Sequence, residues 1–504
     1  MRFEYHKYEQ LPKLAWCSII EKGKEIVRIY CGPWVETFEN FFVEGVWDDD
    51  FESANFDKSI FLLGSGGKVD NGIIKFATPS HTLERLHLIK SDNVVYISNS
   101  LAFVLEISKK NLDINYLDYE KDFASILQGI NRYKDKIPLE NNEFLYIYYY
   151  CNIICDRDLN IRKEKKIIRD DFNDFNDYYN SIRSTLIKLK NNANSKMRIK
   201  KFGVVTTISS GYDASMCAAM AKEIGCDIAL TFNEPKKYSN DSGENIAKAL
   251  GYTTIIKKNA NDYLNRDDLI EAEYLSSGEL GSSIIFSAFE DEFRGKLVLI
   301  GERGDKIWDK NRKDVNRELR FENEIFTNTS MIENRLKVGY IIVPLPLYAA
   351  TNWPSIHKIS NSEEMQYWSL GNDYDRPIPR RILEEKGVER HMFGVEKKGA
   401  GFNYRYDNLS RIKSRMSQNS FQSFYKFYKQ NRNKRNLLNK YKHIVKFIIK
   451  TYPVYLNWIF SKFKIKIKLQ VSTEKLCDNP FSPSYLIHWG LEITKQRYNL
   501  NNLD

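Results

Sequence analysis

Two short stretches bring together residue types that can do chemistry. The stretch from Thr206 to Ser215, TTISSGYDAS, ends a β-branched run in small and polar residues around an aspartate. The second, Gly301-Glu302-Arg303-Gly304-Asp305, follows the apolar run KLVLI in the same way. Both read as tips of buried strands. In the first, Gly211 allows a tight turn, and the hydroxyls of Ser209, Ser210 and Ser215 with freed backbone N–H groups can surround an anion at the positive end of the following helix. Asp213 would repel a phosphate directly, but it can hold a Mg²⁺ that bridges to phosphate oxygens. Asp305, approaching across the same sheet end, would complete an oxygen-ligand Mg²⁺ site. The plainer alternative is that Ser209, Ser210 and Asp213 cap a helix and that 301–305 is a charged surface turn.

Such loops need a parallel sheet behind them, because ligands bind beyond the carboxyl ends of its strands. The sequence supplies the alternation: strand KKFGVVTTI, helix ASMCAAMAKEIG, strand CDIALTFN, helix SGENIAKALG, strand YTTIIKK. Gly225 and Gly251 stand where helices should end. A longer helical stretch is expected over 261–294, leading to the strand KLVLI. Ahead of these, DDFNDFNDYYNSIRSTLIKLKNNA has helical spacing with acids first and lysines last, matching the helix dipole. Residues 1–165 are β-rich, with runs such as KEIVRIYCG, NGIIKFATP, NVVYISNS and NEFLYIYYYCNII, and suggest sheet packed on sheet. The expected class is α/β: a β-rich sandwich followed by a doubly wound parallel sheet. Expected boundaries are 1–165, 166–410, and a basic, mostly helical extension over 411–504.

The first stretch resembles the loop of the asparagine synthetase type of ATP pyrophosphatases. That loop reads Ser-Gly-Gly-x-Asp-Ser-Ser, and Ser209, Gly211, Asp213 and Ser215 match it, while Ser210 and Ala214 depart from it. The family's Gly-Glu-Gly-Ala-Asp-Glu is similar to Gly301 to Lys306. The resemblance implies that Asp213 and Asp305 ligate Mg²⁺ on ATP, that Ser209, Ser210, Gly211, Asp213 and Ser215 hold the pyrophosphate, and that Glu302 assists an incoming amine. It also implies a later lysine that steadies the transition state, for which Lys397 is chosen with Lys398 as its rival. A carboxylate would become an acyl-adenylate, to be captured by ammonia or a substrate amine. Ala214 and Ser210 would each weaken binding by about 1 kcal/mol.

LHLIKSDNVVYISNSLAFVLEI resembles a passage of the family's glutaminase domain, which implies the N-terminal nucleophile hydrolase fold for 1–165. That chemistry needs a cysteine exposed as residue 1. This chain reads Met1-Arg2-Phe3, and Cys17 lies within an apolar passage. No glutaminase activity is expected. Related β-lactam synthetases have a tyrosine where Glu302 stands.

Composition narrows the remaining classes. The 504 residues exceed one hydrophobic core, and 42% hydrophobic with 28% charged residues exclude a disordered chain. Seven scattered cysteines argue against a disulfide framework, with Cys151 and Cys155 read as core thiols. No long apolar segment or signal peptide is evident, so the expected location is the cytoplasm. The net charge of +10 is concentrated in residues 411–470, which hold sixteen Lys and Arg and no acid. The tail reads as a solvated helical face against the synthetase domain, with contact to a membrane surface as the alternative and nucleic acid behind it. A tRNA-modifying ATP pyrophosphatase and a non-catalytic descendant of the fold stay open, as does a homo-oligomer.

Overall fold

The computed structural model describes residues 1–233, 241–321, 324, 326–394, 402–404, 407–432, 456, 457, 459, 462 and 483–500. Its strands are β1 (Arg2–Lys7), β2 (Trp16–Glu21), β3 (Ile26–Cys31), β4 (Glu36–Thr37), β5 (Phe41–Trp47), β6 (Leu62–Asp70), β7 (Ile73–Ala77), β8 (Leu86–Lys90), β9 (Val94–Ser98), β10 (Lys136–Pro138), β11 (Phe144–Tyr148), β12 (Cys151–Cys155), β13 (Ile161–Lys165), β14 (Gly203–Thr207), β15 (Ile228–Phe232), β16 (Thr254–Lys258), β17 (Lys296–Ile300) and β18 (Ile341–Pro344). The protein is mixed α/β.

The first thirteen strands form two sheets. One has the order β1-β3-β2-β9-β8-β11-β10, the other β13-β12-β7-β6-β5-β4. Pairing is antiparallel throughout except for β1, which lies parallel to β3 at the edge. Alternating side chains of both sheets close on one core containing Trp16, Val27, Ile29, Phe42, Phe76, Leu88 and Ile153. NEFLYIYYYCNII is not one strand. It serves β11 in one sheet and β12 in the other, and the chain changes sheets at Tyr150, which takes φ 51°.

The remaining strands form a parallel sheet of order β16-β15-β14-β17-β18. β17 and β18 are buried nearly throughout, as expected where helices cover both faces. The order reverses between β14 and β17, so the chain leaves these two neighbours in opposite directions and opens a crevice at their carboxyl ends. The helix Phe175–Ala193 is capped by Asp174, whose side chain accepts from the Asp177 N–H at 2.8 Å. The helix Tyr212–Glu223 buries Ser215 through Ala221, and its small residues let it lie between β14 and the helix Pro377–Glu385. Gly225 and Gly251 end their helices at φ 77° and 75°.

The continuous helix expected over 261–294 is absent. Short helical turns at Asp262–Asn265, Ile270–Leu275, Ile284–Phe289 and Glu290–Phe293 replace it. Leu269, Gly278 and Gly281 all take positive φ there, which no continuous helix accommodates. The six described cysteines are all free and buried, Cys151 and Cys155 among them. No helix among the described residues is long and apolar enough to cross a membrane. Of the basic tail, the described helix Gln418–Asn431 and the terminal helix Pro483–Lys495 pack together and against the turn at Ile270–Leu275. The helix Leu409–Arg415 precedes them, and most of 433–470 lies outside the described residues.

The two antiparallel sheets and the parallel sheet are tied by a buried ion cluster. Arg335, on the helix Ile332–Val338 that precedes β18, reaches both oxygens of Glu44 on β5, at 2.7 and 3.1 Å. Its Nε also meets Glu84. Glu44 further accepts from Ser65 Oγ at 2.7 Å and Asn99 Nδ2 at 3.1 Å. Removing one member of such a cluster strands the others without solvent. Arg335→Ala is therefore expected to destabilise the protein by about 3–5 kcal/mol, read by denaturant unfolding.

Candidate functional site

The crevice between β14 and β17 holds a cavity of ≈ 520 Å³. It is lined by both stretches singled out in the sequence, including Ser209, Gly211, Asp213, Glu302 and Asp305. Opposite them stand Leu230 and Phe232 from the end of β15 with Ile285, Phe286 and Phe289. Phe232 and Phe289 rings lie 5.0 Å apart by centroid and tilted by 47°, giving one wall an apolar, aromatic character.

Closeness between the two loops is set by glycine. A Cβ on Gly301 would fall 2.6 Å from Ala214 N, and one on Gly304 would fall 2.6 Å from Asp213 Cγ. Asp213 therefore rests directly on the second loop. Gly211 is less constrained: it caps the helix at φ −81°, and a Cβ there would meet nothing nearer than 3.5 Å. Ser210 likewise lies outside the positive-φ region, so the serine in place of a glycine causes no backbone strain. Its hydroxyl bonds to Asp241 Oδ1 at 2.6 Å. The hydroxyl of Ser215 turns inward to the Ser209 carbonyl at 2.6 Å, and serves the loop rather than the cavity.

Each expected metal ligand has a basic neighbour. Arg376 NH1 lies 3.2 and 3.3 Å from the two oxygens of Asp213. Lys306 Nζ lies 2.6 Å from Asp305 and 2.6 Å from Glu324. Among the described residues no group of three or more His, Cys, Asp and Glu is placed to hold a metal ion alone. Mg²⁺ commonly takes one or two carboxylates and fills its octahedron with water and phosphate oxygens, so Asp213 and Asp305 fit a Mg²⁺ that arrives with a polyphosphate rather than a protein-only cage. Charge agrees: the cavity lining includes the acids Asp213, Asp241, Glu302, Asp305 and Glu324 against the bases Arg303, Lys306 and Arg376. Among the described lining residues a bare polyanion would meet more acids than bases.

Glu302 stands half-buried at the end of β17. Burial, reinforced by Asp305, Glu279 and Asp213 against the opposing pull of Arg303, pushes its carboxyl up to about 7. Asn328 donates to its Oε2 at 2.5 Å. Asn328 itself takes φ 62°, held there by Glu279, whose two oxygens accept the N–H groups of Thr327 and Thr329 at 2.7 Å each. Asparagine tolerates that left-handed geometry better than most residues. Arg303, between Glu302 and Gly304, also lies at φ 70°. Its guanidinium bonds to the Phe326 carbonyl at 2.5 Å and covers the Phe321 ring.

No protein-family model matches the chain, and no curated protein matches it. The site rests on its own geometry.

Ser209, Ser210, Gly211, Asp213, Ser215, Glu302 and Asp305 are thus brought to one sheet end. Lys397 and Lys398 lie outside the described residues. The last described residue before them, Gly394, donates its N–H to the Ser210 carbonyl at 3.0 Å. Arg376, Tyr374, Asn328, Glu279, Asp241 and the phenylalanine wall are not legible in the sequence, since they come from several segments with no fixed spacing to the two stretches.

Two outcomes follow from this geometry. Gly304→Ala should cost about 1–3 kcal/mol of stability by displacing Asp213, whereas Gly211→Ala should cost under about 1 kcal/mol, compared by thermal unfolding. The raised Glu302 carboxyl binds its proton more tightly folded than unfolded, so its contribution to stability declines as pH rises from about 4.5 to about 7. Over that window the unfolding free energy of the wild type should fall relative to that of Glu302→Gln, measured as a pH series of denaturant melts.

Proposed function

We propose that the protein is an ATP-dependent amide-forming ligase of the asparagine synthetase type. Residues 1–165 would be a glutaminase-like sandwich without glutaminase activity, and 166–410 a doubly wound synthetase domain. The observation that carries this reading is the convergence of Asp213 and Asp305 with Glu302 at the reversal point of a parallel sheet, in one cavity with an apolar wall.

In this reading the base of ATP lies toward Phe232, Phe286 and Phe289, and the phosphates lie at the start of the helix Tyr212–Glu223, whose N–H groups favour anions. Asp213 and Asp305 would hold Mg²⁺, which supplies charge neutralisation between phosphate oxygens. A substrate carboxylate oxygen attacks the α-phosphorus and pyrophosphate leaves, forming the acyl-adenylate. The amine nitrogen then attacks the acyl carbon, AMP leaves, and the nitrogen gives up a proton. Glu302, poised near neutrality and oriented by Asn328, is the group suited to take it. Lys397 would balance the charge on the transferring group. Holding both reactants at one sheet end removes the entropy of assembling them.

Cys17 bears only on the absence of a thiol nucleophile from its own position. It is fully buried on β2, and burial raises its thiol well above the usual range, the opposite of what an attacking thiolate requires. A second reading, a non-catalytic descendant that keeps the scaffold, is favoured by the basic partners already seated on Asp213 and Asp305.

The test is binding and turnover together. The wild type should bind α,β-methylene-ATP only with Mg²⁺ by calorimetry, and Asp213→Asn and Asp305→Asn should each lose that binding by at least about tenfold. With a panel of carboxylic acids and ammonia, pyrophosphate release should appear in the wild type and fall at least about a hundredfold in Glu302→Gln. Binding without any turnover across the panel would favour the second reading.

A further inference from the structure

Arg376 is almost wholly buried, at 3% exposure, yet its donor fork is only partly used. One nitrogen, NH1, spans both Asp213 oxygens at 3.2 and 3.3 Å. A tight guanidinium–carboxylate pair uses two nitrogens at about 2.7–2.9 Å. The Arg376 Nε has no hydrogen-bond partner among the described residues. Asp213, Tyr374, Asp305 and Asp309 outweigh its lost hydration and hold it charged, but they do so without engaging the whole donor fork. Its head is nevertheless held at the cavity wall, 4.6 Å from the Tyr374 ring and 5.7 Å from the Tyr212 ring. The other two cations among the described lining residues are held differently. Lys306 is bound between Asp305 and Glu324, and Arg303 is committed to the Phe326 carbonyl.

We propose that Arg376 is a phosphate-binding residue whose guanidinium exchanges Asp213 for the polyphosphate when Mg²⁺ and nucleotide enter together. The inference rests on the ligase reading and goes beyond it by naming the cation that gates the metal site. Mg²⁺ alone must compete with Arg376 for Asp213. A polyphosphate alone meets, among the described lining residues, five acids against three bases that are themselves engaged with protein groups. Entering together, the metal takes the carboxylates and the released guanidinium turns its unused donors to the phosphate oxygens, with which its planar fork is matched. The two ligands therefore bind with positive coupling, each strengthening the other.

The experiment is titration calorimetry on the full chain with Mg²⁺ alone and with α,β-methylene-ATP at saturating Mg²⁺, for the wild type, Arg376→Gln and Arg376→Lys. Arg376→Gln should bind Mg²⁺ alone several-fold more tightly, because its competitor is gone, and bind the nucleotide analogue at least about tenfold more weakly. Arg376→Lys keeps the charge and should recover part of the analogue affinity, and it decides the matter if the glutamine variant does not fold. Weakening of both ligands together with a lowered Tm in both variants would reduce Arg376 to a packing role and overturn the proposal. Unchanged analogue affinity in Arg376→Gln would overturn it while leaving the ligase reading standing. Failure of the folded wild type to bind the analogue would instead remove the ligase reading itself, and the role of Arg376 with it.

Discussion

The site depends on how closely two strand-end loops can approach. β14 and β17 are hydrogen-bonded neighbours, so the loops leaving them start side by side. Their side chains converge only because the second loop presents bare backbone: Gly301 and Gly304 leave no room for any Cβ beside Asp213. Everything acidic in the cavity is then crowded by consequence. Asp213 and Asp305 both raise the cost of ionising Glu302, and burial adds the larger share. A carboxyl that titrates near neutrality is thus a product of backbone packing as much as of its own surroundings.

That crowding has a counterpart in the cations. Among the described residues, Arg376, Lys306 and Arg303 lie in the same cavity wall as five acids and offset their like charge. They are not equivalent. Lys306 spans Asp305 and Glu324 tightly, which stabilises the loop, whereas Arg376 touches Asp213 loosely from a side chain already packed on tyrosine rings. The difference lies in how firmly each cation is seated: Lys306 bridges two carboxylates, whereas Arg376 shares one nitrogen between the oxygens of a single one.

The parallel sheet and its two loops were legible because each signal is local: a β-branched run, a cluster of small residues, a glycine at the helix end. Ser209, Asp213, Glu302 and Asp305 could be placed at one sheet end on that basis alone. What was hidden depends on contacts far apart in sequence. Arg376 and Asp213 are separated by more than a hundred and sixty residues, and nothing in DYDRPIP points to a cavity. The stretch 261–294 misled for a related reason, since its apolar spacing suits a helix but Leu269, Gly278 and Gly281 are needed at positive φ to wrap the chain around the cavity wall. In NEFLYIYYYCNII, a sheet change at Tyr150 leaves no mark in a run that is apolar on both sides of it.

The departures from the resembled motifs gain a physical reading from the same geometry. Ser210 replaces a glycine at a position where the backbone needs none, and its hydroxyl is used to tie the loop to Asp241. Arg303 replaces a glycine where the backbone does take the left-handed form, at φ 70°, which costs a non-glycine residue roughly 1–2 kcal/mol. That strain is offset by what the side chain gains: the Phe326 carbonyl, the Phe321 face and proximity to Glu324 at 4.0 Å. Those contacts brace the segment that carries Phe326 and Asn328, and Asn328 is the residue that orients Glu302. The arginine therefore moves rigidity from the turn into the neighbouring loop. The turn that projects Glu302 is then held by a side chain reaching across the cavity wall, while Glu279 fixes the same loop from its other side through the N–H groups of Thr327 and Thr329. Glu302 thus has a carboxyl raised by burial and by neighbouring acids and a fixed direction set by Asn328, and these two braces supply the second of those conditions.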